Sequence, residues 1–271
     1  MAKIQNDKYY TSQELAKYCV EKTKEIIGED NITEYIEPSA GSGVFLDYLD
    51  KPYLAYDIEP EDDRIVKADW LSVDLDYKKG RCVIGNPPFG NRNTLIVKFY
   101  KQAIQMCDFI SFILPISQLN NNVQLYEFDL IFSEDLGLRH YSDRSLHCCL
   151  NIYKRPMYSL NSKPRYQLRD IEIVENRRGG KQINNIQDYD IGISSYGNTN
   201  VGKTPLYQGQ YVKEMYIKIY NKKYKEKIVS LLKNTDWEKM VKNNSVSGTG
   251  QFNMTKWRMI KYLKEQIPEL E

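Results

Sequence analysis

Short runs of β-branched and aromatic residues alternate with longer helix-like stretches over the first 155 residues of the chain. The runs predict strands at 32–38, 53–59, 65–68, 81–86 and 109–115, and the stretches predict helices at 12–27 and 94–106. Ser12 is the expected N-cap of the first helix. Strands that alternate with helices are typical of a parallel sheet covered by helices. The pattern therefore predicts an α/β fold with a doubly wound, mostly parallel sheet.

After Pro115 the alternation of strand-like and helix-like segments is less regular. Residues 145–153 nevertheless predict one more strand at or near the sheet edge. Residues 155–162 have the composition of a linker. Beyond them, 163–212 predicts irregular β structure and loops, 214–220 a strand, and 222–232 and a segment from about Thr255 two helices. We therefore divide the chain into a domain at 1–155 and a smaller region at 156–271.

These two parts differ in charge. Residues 1–150 carry 16 Lys and Arg against 24 Asp and Glu, whereas residues 151–271 carry 22 against 12. Such a difference in charge is expected where one part of the chain performs chemistry and the other binds a polyanion. A solvated lysine-rich surface would give the same numbers of charged residues.

Several classes of protein are disfavoured by composition. No apolar run approaches the roughly 20 residues that cross a bilayer, and the first residues lack the apolar stretch and cleavage site of a secretory signal. We therefore expect a cytoplasmic protein with no membrane partner. The five cysteines have neither zinc-site spacing nor the density of a disulfide framework, so we expect reduced, mostly buried thiols and no metal site.

The first predicted strand leads into Glu37-Pro38-Ser39-Ala40-Gly41-Ser42-Gly43. Gly41 and Gly43 would let the backbone approach a ligand closely, and the helix expected after them would offer unpaired N–H groups. The third glycine of the dinucleotide fingerprint is missing, which disfavours a pyrophosphate. A tight strand-to-helix turn without a ligand is the alternative.

The next two strands end in residues suited to a nucleoside. Asp57 and Ile58 end the second strand, where an acidic residue commonly holds a ribose, although such an aspartate is also a frequent helix cap. Asp69 and Trp70 end the third strand and pair a hydrogen-bond acceptor with a flat ring, which would suit adenine. A simple core position is the alternative for Trp70.

The fourth strand ends in Asn86-Pro87-Pro88-Phe89. Two successive prolines stiffen the backbone and remove two N–H donors. The side-chain oxygen of Asn86 and the carbonyl of Pro87 can then each accept one N–H of an exocyclic amine, while Phe89 stacks on its ring. This tetrapeptide is the most specific signal in the chain.

These motifs, in this order, resemble the gamma-type DNA adenine-N6 members of the amino-methyltransferase family, and residues 8–16 resemble the cofactor-binding segment that precedes the glycine motif there. The resemblance covers about 8–155 and implies a class I methyltransferase fold, S-adenosylmethionine as cofactor, and double-stranded DNA as partner. The implied cofactor residues are Thr11, Glu37, Pro38, Ala40, Gly41, Gly43, Asp57, Ile58, Asp69, Trp70 and Asn86. The implied catalytic residues are Asn86, Pro87, Pro88 and Phe89, with Phe89 and Tyr153 stacking on the substrate base.

The resemblance also implies base flipping and a target-recognition role for the basic region at 156–271. Within it, the polar stretches 177–181 and 247–253 are predicted either to contact phosphates and base edges or to be exposed loops. No endonuclease motif is evident, so we expect DNA methylation without cleavage, and a cognate restriction endonuclease of a restriction-modification system would be a separate protein.

Two alternatives stay open. An RNA adenine or protein glutamine N-methyltransferase would use the same tetrapeptide, because its geometry fits any planar amine. A nucleic-acid-binding module of the same fold could also have lost catalysis.

Overall fold

The structure is a computed structural model that describes residues 10–140, 145–164, 167–178, 183–204, 210–245 and 251–271. The chain divides into two compact units, unit 1 at Met1–Pro164 and unit 2 at Arg165–Glu271. Within the described ranges, no helix has the length and apolar character needed to cross a membrane. All five cysteines are free and buried, as predicted.

The described residues of unit 1 form a seven-stranded sheet with the strand order β3-β2-β1-β4-β5-β7-β6. Neighbours among β1 to β5 pair in parallel, while β7 pairs antiparallel with both β5 and β6. The strands are β1 (Glu34–Glu37), β2 (Tyr53–Asp57), β3 (Val66–Lys67), β4 (Arg81–Gly85), β5 (Phe109–Pro115), β6 (Asp129–His140) and β7 (Ser145–Lys154). This confirms the predicted α/β class with a mostly parallel sheet.

Two helices of unit 1 cover opposite faces of this sheet. Helix α1 (Gln13–Ile27) contacts β5 through a 2.7 Å hydrogen bond between Thr23 Oγ1 and Ser111 Oγ. Helix α2 (Thr94–Met106) places Tyr100 edge-on against Tyr153, which pairs with Ile110 of β5. Since successive side chains of a strand point to opposite faces, α1 and α2 lie on opposite sides. The sheet is thus doubly wound.

The glycine motif does not open an α-helix, contrary to the prediction. Residues 41–45 form turns, and the helical segment between them and β2 is the three-residue 3₁₀ segment Leu46–Tyr48. Gly41 and Gly43 have positive φ of 53° and 77°, and the backbone bonds here span three residues, as from Leu46 N to Gly43 O at 2.9 Å. Positive φ interrupts a right-handed helix, which explains the difference.

The other strands and helices predicted within unit 1 are present, and one strand was missed. Ser12 is the N-cap of α1 as predicted, because its Oγ accepts a hydrogen bond from Leu15 N at 3.3 Å. Strand β6 was not predicted. It lies at the sheet edge and its pairing with β7 has two register shifts, so its residues do not keep a regular alternation.

Unit 2 is built on a three-stranded antiparallel sheet in the order β8-β11-β9. Its strands are β8 (Ile171–Arg177), β9 (Ile191–Ser194) and β11 (Lys213–Ile219), and the short strands β10 (Tyr196–Gly197) and β12 (Phe252–Asn253) form a separate pair. Its helices are α3 (Lys225–Asn234), α4 (Trp237–Asn244) and α5 (Lys256–Gln266). One apolar core joins the sheet to these helices. The sequence predicted β11, α3 and α5 but not α4.

Candidate active site

The strand order of unit 1 reverses between β1 and β4, with β2 and β3 on one side and β5 on the other. In open α/β sheets, ligands bind outside the carboxyl ends of the strands at such a switch point. Glu37 is the last residue of β1, and Asn86 follows the last residue of β4. The structure therefore brings the glycine motif and the Asn-Pro-Pro-Phe motif side by side at this position.

Gly85 makes the close contact between the two motifs possible. Its φ is 154°, and a Cβ built on it would lie 3.3 Å from Glu37 Cγ. A larger residue would push against the Glu37 side chain. A second link is the 3.4 Å hydrogen bond that Ser39 Oγ donates to the backbone carbonyl of Asn86. Neither Gly85 nor Ser39 was predicted to hold the motifs together.

Glu37 carries a buried carboxyl group with an unused acceptor. The residue is 2% exposed, and its Oε2 has no hydrogen-bond partner among the residues that the structure describes. Burial, with a smaller contribution from the nearby charge of Asp57, raises the pKa of Glu37 to about 8. A buried carboxyl without a partner is costly, and such groups are concentrated at functional sites. A ligand with N–H donors or positive charge would satisfy it.

Asp57 fixes the glycine turn. Its Oδ2 accepts a hydrogen bond from Gly41 N at 2.8 Å, and its Oδ1 accepts one from Glu59 N at 2.8 Å. The turn is also held by the bond from Ala40 N to Tyr56 O at 2.9 Å. A Cβ built on Gly41 would meet nothing within 4 Å, so space lies open beside the turn. Both oxygens keep a second lone pair for a ligand hydroxyl.

The segment that precedes α1 contacts the Asn-Pro-Pro-Phe motif directly and is linked to the glycine motif through Glu61. Asn86 Nδ2 donates a 3.2 Å hydrogen bond to Thr11 Oγ1. The amide nitrogen therefore faces Thr11, and the amide oxygen, which can accept a hydrogen bond, faces away from it. Tyr10 donates from its hydroxyl to Glu61 Oε1 at 2.6 Å, and Glu61 N donates to Gly41 O at 3.0 Å. The predicted cofactor segment is thus at the site, although residues 8 and 9 lie outside the described residues.

No protein-family model matches this chain, and no curated protein matches it. Among solved structures, a candidate RNA methyltransferase of Pyrococcus horikoshii is 14% identical at a TM-score of 0.46, covering 58% of this chain and 91% of that one. A Thermoplasma acidophilum protein is 19% identical at 0.43, covering 58% and 93%. The 23S rRNA methyltransferase ErmE is 12% identical at 0.41, covering 57% and 72%. The strand order of unit 1 has the doubly wound, mostly parallel arrangement that was predicted.

Other predicted cofactor residues lie at the neighbouring strand ends. Ile58 follows β2 and is 49% exposed, so an apolar surface is available beside Asp57. Asp69 is exposed, and its Oδ1 accepts a 3.0 Å hydrogen bond from Leu71 N. Pro38, Ala40 and Gly43 are buried within the turn region.

Trp70 does not offer a face to a ligand, contrary to the prediction. It is 1% exposed, and its ring Nε1 donates a 3.2 Å hydrogen bond to the Phe99 carbonyl of α2. Its ring lies 6.2 Å from that of Tyr56. The 3₁₀ segment Trp70–Ser72, capped by Asp69, turns the indole into the interior. Trp70 is therefore a core residue.

Tyr153 is likewise a core residue and does not stack on a base. It is fully buried, its hydroxyl accepts a 2.9 Å hydrogen bond from Asn151 Nδ2, and its ring packs edge-on against Tyr100. Phe89 is also largely buried, at 8% exposed, while Pro87 is buried and Asn86 and Pro88 are half-buried. The motif thus forms a packed wall at the end of β4.

Proposed function

We propose that unit 1 binds S-adenosylmethionine and transfers its methyl group to an exocyclic amino nitrogen, with N6 of adenine in double-stranded DNA as the acceptor. One observation carries the proposal. Glu37 and Asn86 lie side by side at the switch point of the sheet. Glu37 has a buried carboxyl oxygen without a hydrogen-bond partner among the described residues, and the Asn86 amide is fixed by its hydrogen bond to Thr11.

The residues present fit the cofactor. Glu37 would accept from the ammonium group of its methionine part, beside the open space at Gly41. Asp57 would receive ribose hydroxyls, with Ile58 against the adenine ring and Asp69 accepting from its amino group. S-adenosylmethionine bound in this way supplies an electrophilic methyl group on a sulfonium. Thr11 contributes by holding the Asn86 amide.

The acceptor side of the site follows from the Asn-Pro-Pro-Phe motif. Asn86 Oδ1 and the Pro87 carbonyl would accept the two N–H groups of the substrate amine and so hold the nitrogen lone pair toward the methyl carbon. Phe89 would contact the edge of the base. Adenine inside a duplex cannot reach this position, so the base would be flipped out of the stack.

The test is methyl transfer from labelled cofactor to duplex DNA, RNA and protein, followed by digestion of the product and identification of the methylated nucleoside or residue. We expect N6-methyladenine from DNA. Asn86→Ala should abolish transfer while cofactor binding stays measurable by calorimetry. Asn91→Ala, which changes an exposed asparagine in the 3₁₀ segment Asn91–Asn93, should retain activity.

The other outcomes separate the competing functions. Label in RNA or in protein glutamine would keep the chemistry but replace the substrate, and failure to bind S-adenosylmethionine would indicate a nucleic-acid-binding module without catalysis. The basic composition of 151–271 is what favours a polyanionic substrate. We also propose that cleavage by a restriction endonuclease, if the two act together, resides in a separate protein.

A further inference from the structure

Charge is distributed unevenly on the two sides of the candidate site. The loop after β2, on the side proposed for the cofactor, contains four acidic residues, namely Glu59, Glu61, Asp62 and Asp63. The loops after β4 and β5, at 86–93 and 116–128, contain one acidic residue, Glu127, which is buried and pairs with Lys101. The exposed charged residue of these two loops is Arg92. A ligand that approaches from the β4 and β5 side therefore meets a cation.

Arg92 carries a guanidinium group whose charge is not used within the protein. It lies in the 3₁₀ segment Asn91–Asn93, between the Asn-Pro-Pro-Phe motif and α2, and it is exposed. Within the part of the chain that the structure describes, its side chain has no ion pair, whereas Arg64, Arg81 and Arg155 of the same unit each pair with a carboxylate. The charge of Arg92 is thus available to a ligand.

The backbone at Arg92 is held in a left-handed conformation. Its φ and ψ are 54° and 37°, and those of Asn93 are 64° and 21°. This conformation is unfavourable for a residue with a Cβ, and asparagine tolerates it better than arginine does. Among the described non-glycine residues, positive φ occurs at Arg92, Asn93 and Asn120, all in the loops after β4 and β5. Strained conformations of this kind are concentrated at functional sites.

Hydrogen bonds between the two loops hold this backbone in place. Asn93 Nδ2 donates to Ser117 Oγ and to Gln124 Oε1, both at 3.4 Å. Gln118 Nε2 donates to the same oxygen of Gln124 at 3.0 Å. The loop after β5 therefore fixes the residue that follows Arg92, so the arginine extends from an ordered loop.

Arg92 also lies near the wall that the Asn-Pro-Pro-Phe motif forms. Phe89 and Arg92 are three residues apart, so their Cα atoms are separated by at most about 11 Å. Gly90, between them, has a φ of 65°, and a Cβ built on it would lie 2.8 Å from Leu95 Cγ, so the loop packs closely against the first turn of α2. A nucleotide whose base contacts Phe89 would have its backbone within reach of this arginine.

We propose that Arg92 binds the phosphate next to the acceptor base, and that the acceptor is therefore a nucleotide within a strand. This inference rests on the proposed function, because it concerns the acceptor side of the same site. A guanidinium group forms two parallel charged hydrogen bonds with a phosphate. A glutamine side chain carries no such anion, so the contact selects nucleic acid over the alternative protein substrate. DNA and RNA share the phosphodiester, and the experiment separates them.

The test is binding of the full chain to a short labelled duplex that holds one adenine opposite an abasic position, measured by fluorescence anisotropy. An unpaired base is the least costly to extrude. Arg92→Gln should weaken binding about ten- to a hundredfold, as expected for a lost charged hydrogen bond, and should lower the slope of log K against log salt by about 0.9. Arg92→Lys should keep part of the affinity because the charge remains. Lys98→Gln removes an exposed charge on α2 and should change little.

Replacing one phosphate at a time by a methylphosphonate identifies the contact, because a methylphosphonate carries no charge. We place it on either side of the unpaired adenine. At the phosphate that Arg92 contacts, Arg92→Gln and the unmodified chain should bind the modified duplex almost equally, whereas at the other phosphate the difference of tenfold or more should remain. The same difference at both positions would overturn the proposal, and so would equal losses in Arg92→Gln and Lys98→Gln.

Binding and catalysis are measured separately, so failure of one proposal is not mistaken for failure of the other. Coupling between Arg92 and one phosphate without methyl transfer would support the contact and refute the proposed reaction. The same coupling with single-stranded RNA would support the contact and change the polymer. Absence of binding to both polymers, or transfer of label to protein glutamine, would refute the role of Arg92. Thermal melting and calorimetry with S-adenosylmethionine check that the variants fold and bind the cofactor.

Discussion

Glu37→Gln tests whether the site holds a carboxyl group that burial keeps protonated. The substitution keeps the size and one carbonyl oxygen but removes the titratable group. A pKa near 8 instead of the ordinary 4.5 corresponds to a cost of about 5 kcal/mol for ionising the carboxyl in place, at 1.36 kcal/mol per pH unit. This is an upper bound, since relaxation of the surroundings reduces it.

The sign follows from proton binding. Below pH 4.5 the carboxyl is protonated in both the folded and unfolded states, so the free energy of unfolding is independent of this group. Between pH 4.5 and about 8 only the folded state keeps the proton, so stability falls as pH rises and then levels off. Glu37→Gln should therefore match the unmodified chain near pH 4.5 and exceed it by several kcal/mol near pH 8.

Urea unfolding between pH 4.5 and 8.5 measures this difference. Glu34→Gln, on the same strand, is the matched control. Burial would raise the pKa of Glu34, but hydrogen bonds from Lys78 and Arg81 outweigh that effect and lower it. Because a lowered pKa stabilises the folded state above the unfolded pKa, Glu34→Gln should lose stability at pH 7. Parallel pH profiles for the unmodified chain and Glu37→Gln would refute the assignment.

The same variant tests the ligand. A cation bound beside Glu37 would favour the carboxylate, so binding at pH 7 should release up to one proton and affinity should rise with pH below about 8. Calorimetry with S-adenosylmethionine in buffers of different ionisation enthalpy counts those protons. Glu37→Gln should bind more weakly and release none from this position. Equal proton release by both proteins would place the ammonium group elsewhere.

Two further substitutions test the parts of the site separately. Asp57→Ala removes the acceptor for both Gly41 N and Glu59 N. At roughly 1.5–3 kcal/mol for each of these two charged hydrogen bonds, the substitution should destabilise unit 1 by about 3–6 kcal/mol and weaken cofactor binding. Unchanged urea unfolding would contradict this role. Trp70→Phe should lower the free energy of unfolding by about 1–2 kcal/mol, because the hydrogen bond to Phe99 O is lost, but it should leave cofactor affinity unchanged. A tenfold weaker affinity in a folded variant would show that the indole contacts the ligand.

The sequence predicted most of unit 1 because its elements are locally consistent. Strand β5 and helix α2 have the predicted bounds, because each is a strongly apolar segment whose ends are clearly marked in the sequence. Strand β6 was not predicted because it is an edge strand with irregular pairing, and such a strand need not alternate apolar and polar residues. The helix expected after the glycine motif failed because two positive-φ glycines favour turns over helix.

Some of the candidate site residues could be predicted from the sequence and others could not. Residues placed by their position at a strand end, such as Glu37, Asp57 and Asn86, could be predicted, because the carboxyl ends of parallel strands meet at one edge of the sheet. Residues placed by the direction of a side chain could not. Tyr153 lies on β7, which is buried along most of its length, so no periodicity shows which way its side chain points. Trp70 is turned into the core by the short 3₁₀ segment that follows β3, which no sequence pattern predicted. The link that joins the two motifs, a glycine at position 85 against Glu37, becomes visible only when β1 and β4 are known to be neighbours.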